Sequence, residues 1–165
     1  MSSHAAAPLL LASTSPQRRA ILEQLGIPFD VAAPDYVEHD PPDADAVELV
    51  REHARGKARS VAGAADGRPV LGVDTAVRLG GRLYGKPADA TDAERMLAEL
   101  AGRTHTVVSG LCLLTPGWEA VEHASTDVTF RELTPRELAQ HLAHGEWEGR
   151  AGAYAIQGRG AALVE

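Results

Sequence analysis

The chain opens its ordered pattern with an apolar run, "PLLLA", and a run that short followed by a polar turn predicts a buried strand. The turn "STSP" hands it to a helix: Ser15 suits the N-cap, Pro16 the first helical position, and Gly26 the stop. "FDVAA" predicts a second short strand, and the acidic, proline-rich "PDYVEHDPPDAD" a surface loop. From Ala44 the period changes: Val47, Val50, Ala54, Ala58 and Val61 recur at helical spacing, so one helix is expected to about Ala62. Its other faces carry Arg51, Arg55, Lys57 and Arg59. Val70 to Val73 read as a central strand that ends at Asp74, and Gly80 with Gly81 as a hairpin turn. Thr91 and Glu94 predict a capping box for a helix closing at Gly102. "THTVVSGLCLLT" and "EAVEHASTDVTFREL" form two long strand-like runs about a "PGWE" turn; Thr134, Pro135 and Glu137 then cap a last helix that closes near Gly145. The final "AGAYAIQGRGAALV" mixes small residues with strand formers. Strands and helices alternate first and a hairpin follows, which defines an α/β class with a mixed sheet.

Composition narrows this picture. At 165 residues and 44% hydrophobic content the chain is expected to be one domain, 1–165. An aromatic content of 4% leaves too few rings for a single-strand stacking platform, and a net charge of −7 argues against a nucleic-acid surface. Any phosphate partner therefore has to be held by a local basic cluster. Cys112 is alone in "LCLLT", so no disulfide framework exists and a buried inert thiol is expected, which suits the reducing cytoplasm. The apolar stretch from Ala5 to Ala12 has no Lys or Arg before it, so no signal peptide is expected, and no run is long enough to span a membrane.

Four features could carry chemistry. Arg18 and Arg19 sit in the first turn of a helix whose N–H groups already make that end positive, an arrangement that a phosphate in the hydroxyl-rich turn would relieve; the plainer alternative is a solvated helix face. Asp74 interrupts an apolar run, where a carboxylate can bind a divalent cation or act as a base, or simply form a turn. Lys86 in "GKP" is fixed between two turn formers as a point charge for phosphate, and Lys57 offers the same; both also suit solvent. In "AGAYAIQGRG" the small residues around Tyr154 and Gln157 admit a ligand, and glutamine can read a base edge; a tight sheet corner is the alternative. His141 and His144 lack a third ligand nearby and are expected at the surface. Walker loop, GxGxxG, nucleophile elbow and CxxC are all absent.

Taken in order, "LLLASTSPQRRAIL", "VLGVDTAV", "GKPADATDAERMLAELAGRTHTVVSG", "TDVTFREL" and "AGAYAIQGRGA" resemble the Maf proteins, nucleoside triphosphate pyrophosphatases once called septum formation proteins. The resemblance implies a long curved mixed sheet flanked by helices, like that of the inosine triphosphate pyrophosphatases, and a homodimer. It implies hydrolysis of a nucleoside triphosphate to the monophosphate and pyrophosphate with Mg²⁺, Mn²⁺ or Co²⁺. Asp74 matches the catalytic aspartate, and Ser15, Arg18, Glu38, Lys57 and Lys86 match other polar motif positions; Glu38 is expected to assist Asp74 at the cation. The Asp74–Thr75 pair and "AGAYAIQG" are similar to the branch acting on dTTP and UTP rather than on 7-methyl-GTP, with Thr75 and Gln157 at positions linked to base choice. Gln17 stands where the family usually has the first arginine of Ser-Pro-Arg-Arg, also linked to substrate choice. Gly149 and Arg150 replace a common Asp-Lys, and members normally continue past the position of Glu165. A nucleotide-binding regulator of cell division that does not cleave its ligand is the competing expectation.

Overall fold

The computed structural model describes residues 7–41 and 44–165. Ala5 and Ala6, where the N-terminal apolar stretch begins, and Pro42 and Asp43 of the acidic loop lie outside the described residues. The alternation expected from the apolar pattern is present: β1 (Leu9–Ala12), α1 (Pro16–Gln24), β2 (Phe29–Ala32), α2 (Ala46–Val61) and β3 (Val70–Leu79). A turn at Gly80 and Gly81 leads to β4 (Arg82–Tyr84), then α3 (Ala90–Leu100), the long strands β5 (Thr104–Thr115) and β6 (Trp118–Thr129), and α4 (Pro135–Ala143).

Six strands form one mixed sheet in the order β2-β1-β3-β5-β6, with β4 on β3. β1 lies parallel to β2 and β3, to which it connects through helices, whereas β4 returns antiparallel across two glycines. β5 and β6 are antiparallel: Thr104 Oγ1 meets Thr129 Oγ1 at 2.8 Å, and Thr106 Oγ1 donates to Asp127 Oδ1 at 2.8 Å.

The described residues group into two compact units. The first draws on residues 7–39, 47–74 and 109–123, the second on residues 40–41, 44–46, 75–108 and 124–165. In the first, Leu10, Ala12 and Val70 of the strands pack with Ala54, Ala58 and Val61 of α2 and with Cys112, whose thiol burial pushes above its ordinary pKa. Glycine lets this helix lie directly on the strands. A Cβ on Gly72 would clash with the Ala54 carbonyl oxygen and stand 2.8 Å from the Ala58 nitrogen, and one on Gly110 would clash with the Val50 carbonyl. In the second unit Val77, Leu97, Leu100, Phe130 and Tyr154 lie in one buried cluster.

Several local expectations change. Asp74 does not end the strand but sits inside β3, which runs on to Leu79; a buried carboxylate is tolerated there because a cation from α2 meets it. The cap of α3 is Asp89, which accepts from Asp92 N–H, and not the Thr91–Glu94 box; aspartate two residues upstream reaches the exposed amide first. The Thr134–Glu137 capping box of α4 is present as expected. The last segment forms 3-10 turns at Ala151–Ala153 and Arg159–Leu163, since its glycines and alanines offer no alternating apolar face to a sheet. His141 is buried, its Nε2 3.3 Å from the Ala153 carbonyl oxygen, while His144 stays exposed. No helix among the described residues is long and apolar enough to cross a membrane.

Candidate active site

Alternation along β3 sends Val70, Gly72 and Asp74 to the face covered by α2. With Gly72 admitting the helix backbone, Lys57, one residue before Ala58, reaches the next position on that face. Its Nζ lies 2.5 Å from Asp74 Oδ1 and 2.6 Å from Glu38 Oε1. Lys57 is 5% and Asp74 6% exposed, so this pair is closed to bulk water. The loop bearing Glu38 is anchored by Tyr36, whose hydroxyl lies 2.9 Å from His53 Nδ1 and whose ring covers Gly56, where a Cβ would stand 2.5 Å from Cζ. Both anchors belong to α2, so the helix that supplies Lys57 also fixes the height of Glu38 above it.

Among the described residues no group of three or more His, Cys, Asp and Glu side chains gathers to hold a metal. Glu38 and Asp74 nonetheless fit a hard divalent ion, which one or two carboxylates commonly hold while substrate phosphate oxygens complete its shell.

The turn after β1 borders the same strand. Ala12 pairs with Gly72, so Ser13 leaves the sheet beside the stretch of β3 that leads to Asp74. Ser13, only 3% exposed, accepts at Oγ from Arg18 Nη1 at 3.0 Å and from the Ser15 N–H at 3.2 Å. Ser15 has the extended backbone of an N-cap, but its hydroxyl makes no capping bond, and the first turn of α1 contains no acid. Arg18 thus folds back over the turn, half-buried, with Gln17 half-buried beside it; Arg19 points to solvent. Ser13 carries no signal in the sequence, because a serine inside a hydroxyl-rich turn gives no sign of which hydroxyl faces inward.

The remaining candidates belong to the second unit. Lys86 is exposed on the turn after β4, Thr75 is half-buried in β3, and Gln157 is exposed. Tyr154 turns inward: it is 6% exposed, and its hydroxyl lies 2.7 Å from Nε2 of the buried His105. Burial pushes the Tyr154 phenol far above its ordinary pKa and the His105 imidazole below its own. His105 carried no signal in the sequence, because Val108, Gly110 and Cys112 set the inward alternation of β5 and residue 105 falls off that period.

An α/β sheet that sets the buried Asp74–Lys57 pair and half-buried Glu38 beside a hydroxyl-rich turn and a helix N-terminus is the kind of arrangement that suits a phosphate ligand. Comparison with known families narrows this: residues 8–165 match the family described as Maf-like protein, and the chain belongs to that family. A relative from Nitratidesulfovibrio vulgaris is 48% identical over 97% of this chain and 77% of its own length. Relatives from Moorella thermoacetica, at 48% identity over 94% and 81%, and Gloeobacter violaceus, at 46% over 95% and 83%, are similar to the same extent. All three are named dTTP/UTP pyrophosphatase. A crystal structure of a Vibrio cholerae protein overlaps 84% of this chain and 73% of its own with a TM-score of 0.41 and 13% identity, too loose a likeness to argue from.

Proposed function

We propose that this chain hydrolyses dTTP, UTP and modified pyrimidine nucleoside triphosphates to the monophosphate and pyrophosphate. The observation that carries the reading is Lys57 buried between Asp74 and Glu38, and the names of the relatives support the substrate class. Asp74 accepts a proton from the water that attacks the α-phosphorus; the bond from that phosphorus to the bridging oxygen breaks and the electron pair leaves with pyrophosphate. Lys57 fixes Oδ1 of Asp74 and supplies positive charge that needs no reorganisation during the reaction. Ser15 and Arg18, with the N–H groups of the turn, hold phosphate oxygens, and Lys86 balances the charge on the departing pyrophosphate. Thr75, Gln17 and Gln157 set the choice of base, with Tyr154 shaping the segment that carries Gln157. Glu38 and Asp74 would hold a divalent cation, Mg²⁺, Mn²⁺ or Co²⁺, which when bound neutralises phosphate charge and orients the chain of anhydrides. A homodimer in the cytoplasm completes the reading.

The test is pyrophosphate release with Mg²⁺ or Mn²⁺ from dTTP, UTP, CTP, ATP, GTP and 7-methyl-GTP, by the parent chain and by Asp74→Asn. Asp74→Asn is expected to lose at least ~10²-fold in turnover while melting as a folded protein. Near-parental turnover would remove Asp74 from the chemistry, and a purine at the head of the panel would overturn the pyrimidine preference. Tight triphosphate binding with no release would replace hydrolysis by ligand sensing.

A further inference from the structure

Gly152 and Ala153 are consecutive residues of left-handed backbone, at φ 69 and φ 65. Glycine adopts this freely; alanine does so only where its surroundings impose it. Four contacts impose it here. The Gly152 N–H donates to the Gly85 carbonyl at 3.1 Å, the Ala153 N–H donates to the Arg150 carbonyl at 3.0 Å, and the Ala153 carbonyl faces His141 Nε2 at 3.3 Å. The fourth is Tyr154, the next residue, drawn into the core against His105 of β5. The rings of His105 and Tyr154 each meet Phe130 edge-on at 4.7 Å, so both partners of the hydrogen bond pack against one buried ring. Gly85 precedes Lys86, so the direction of an exposed lysine depends on where this buried backbone holds its turn.

We propose that the His105–Tyr154 pair is a positioning device for Lys86, acting through the left-handed backbone at Gly152 and Ala153 and the Gly152–Gly85 hydrogen bond. The inference rests on the charge-balancing role given to Lys86 above. Tyr154 and His105 touch no substrate in this scheme; they set where a cation stands. Tyr154→Phe keeps the ring and removes the hydroxyl, leaving a buried imidazole nitrogen without its partner.

The experiment is a double-mutant cycle of Tyr154→Phe and Lys86→Met on dTTP turnover, with melting curves for every variant. Tyr154→Phe is expected to lower kcat about tenfold with KM changed less than about threefold, and to lower it less than about twofold when Lys86→Met is already present. Equal losses in both backgrounds would overturn the inference, because a merely structural lesion does not know whether Lys86 is there. Thr134→Ala, which loosens the same unit at a helix cap, should add independently to Lys86→Met. Should Tyr154→Phe fail to fold, His105→Gln breaks the same bond from the other side and takes its place in the cycle. If the parent chain releases no pyrophosphate, the proposed reaction falls, and the cycle is then read on the calorimetric Kd of inorganic pyrophosphate. Coupling there supports the positioning role; additivity, or no pyrophosphate binding at all, overturns it.

Discussion

Replacing Lys57 by methionine keeps the length of the side chain and deletes only its ammonium group. Asp74, 6% exposed, would then remain in the interior with no cation beside it, and Glu38 would lose its partner at 2.6 Å. Breaking a buried pair from one side costs about 3–5 kcal/mol, a large part of the roughly 5–15 kcal/mol that holds a domain together. Asp74→Asn is the milder lesion: Lys57 keeps Glu38, and an amide oxygen can still accept from Nζ, so about 1 kcal/mol is expected. Combining the two removes both members of the pair and leaves no orphaned charge on β3. The double variant should therefore be more stable than Lys57→Met alone, with a coupling of about 2 kcal/mol. Urea unfolding at pH 7, followed by circular dichroism, measures all four corners of the cycle. Simple additivity, or a Lys57→Met variant within about 0.5 kcal/mol of its parent, would show that the pair is solvated and would refute the burial reasoning.

Gly72→Ala should cost about 1–3 kcal/mol or more in the same urea assay, because the added methyl meets the backbone of α2, which cannot swing aside. His105 has a folded pKa lowered by burial, so the unfolded chain takes up the proton first: stability is complete above the ordinary histidine value near 6.5 and declines below it. The slope, at most about 1.4 kcal/mol per pH unit for one proton, should flatten in His105→Gln when urea midpoints are compared between pH 7 and 5. Glu137 is held at about 2 by the Thr134 N–H, the Thr134 hydroxyl and Arg131. Its contribution is present above the unfolded value of 4.5 and lost as pH falls toward 2, and Thr134→Ala should shrink that loss in thermal melts taken between pH 5 and 2.5.

What could be read from the sequence was what depends on neighbours in the sequence. The Thr134–Glu137 box, the Pro16 start of α1 and the Gly80–Gly81 hairpin involve residues a few positions apart, and each formed as expected. Asp89 displaced Thr91 as the cap of α3 because both residue types suit that place, and only the path of the incoming chain decides between them. Asp74 looked like a strand end because its partner, Lys57, is 17 positions away, and the pairing exists only once α2 lies on β3. The inward turn of Tyr154 has the same origin: His105 stands 49 positions before it. Candidate residues could thus be picked out by type, whereas their depth, and the hidden companions Ser13 and His105, follow from packing.

The pairing of β1 with β3 has a consequence for length variation. Parallel strands have no shared turn to set their alignment, so the match of Ala12 to Gly72 is kept by three consecutive partners and by what covers them. An insertion in the connection before Val70 would leave this match untouched and should be absorbed at the surface. One residue inserted between Gly72 and Asp74 would turn the carboxylate to the opposite face of the sheet, away from Lys57, without altering any side chain of the site. The spacing between the hydroxyl-rich turn and the carboxylate is therefore recorded in backbone count, and related chains that differ in length should differ before Val70 and not between Val70 and Asp74.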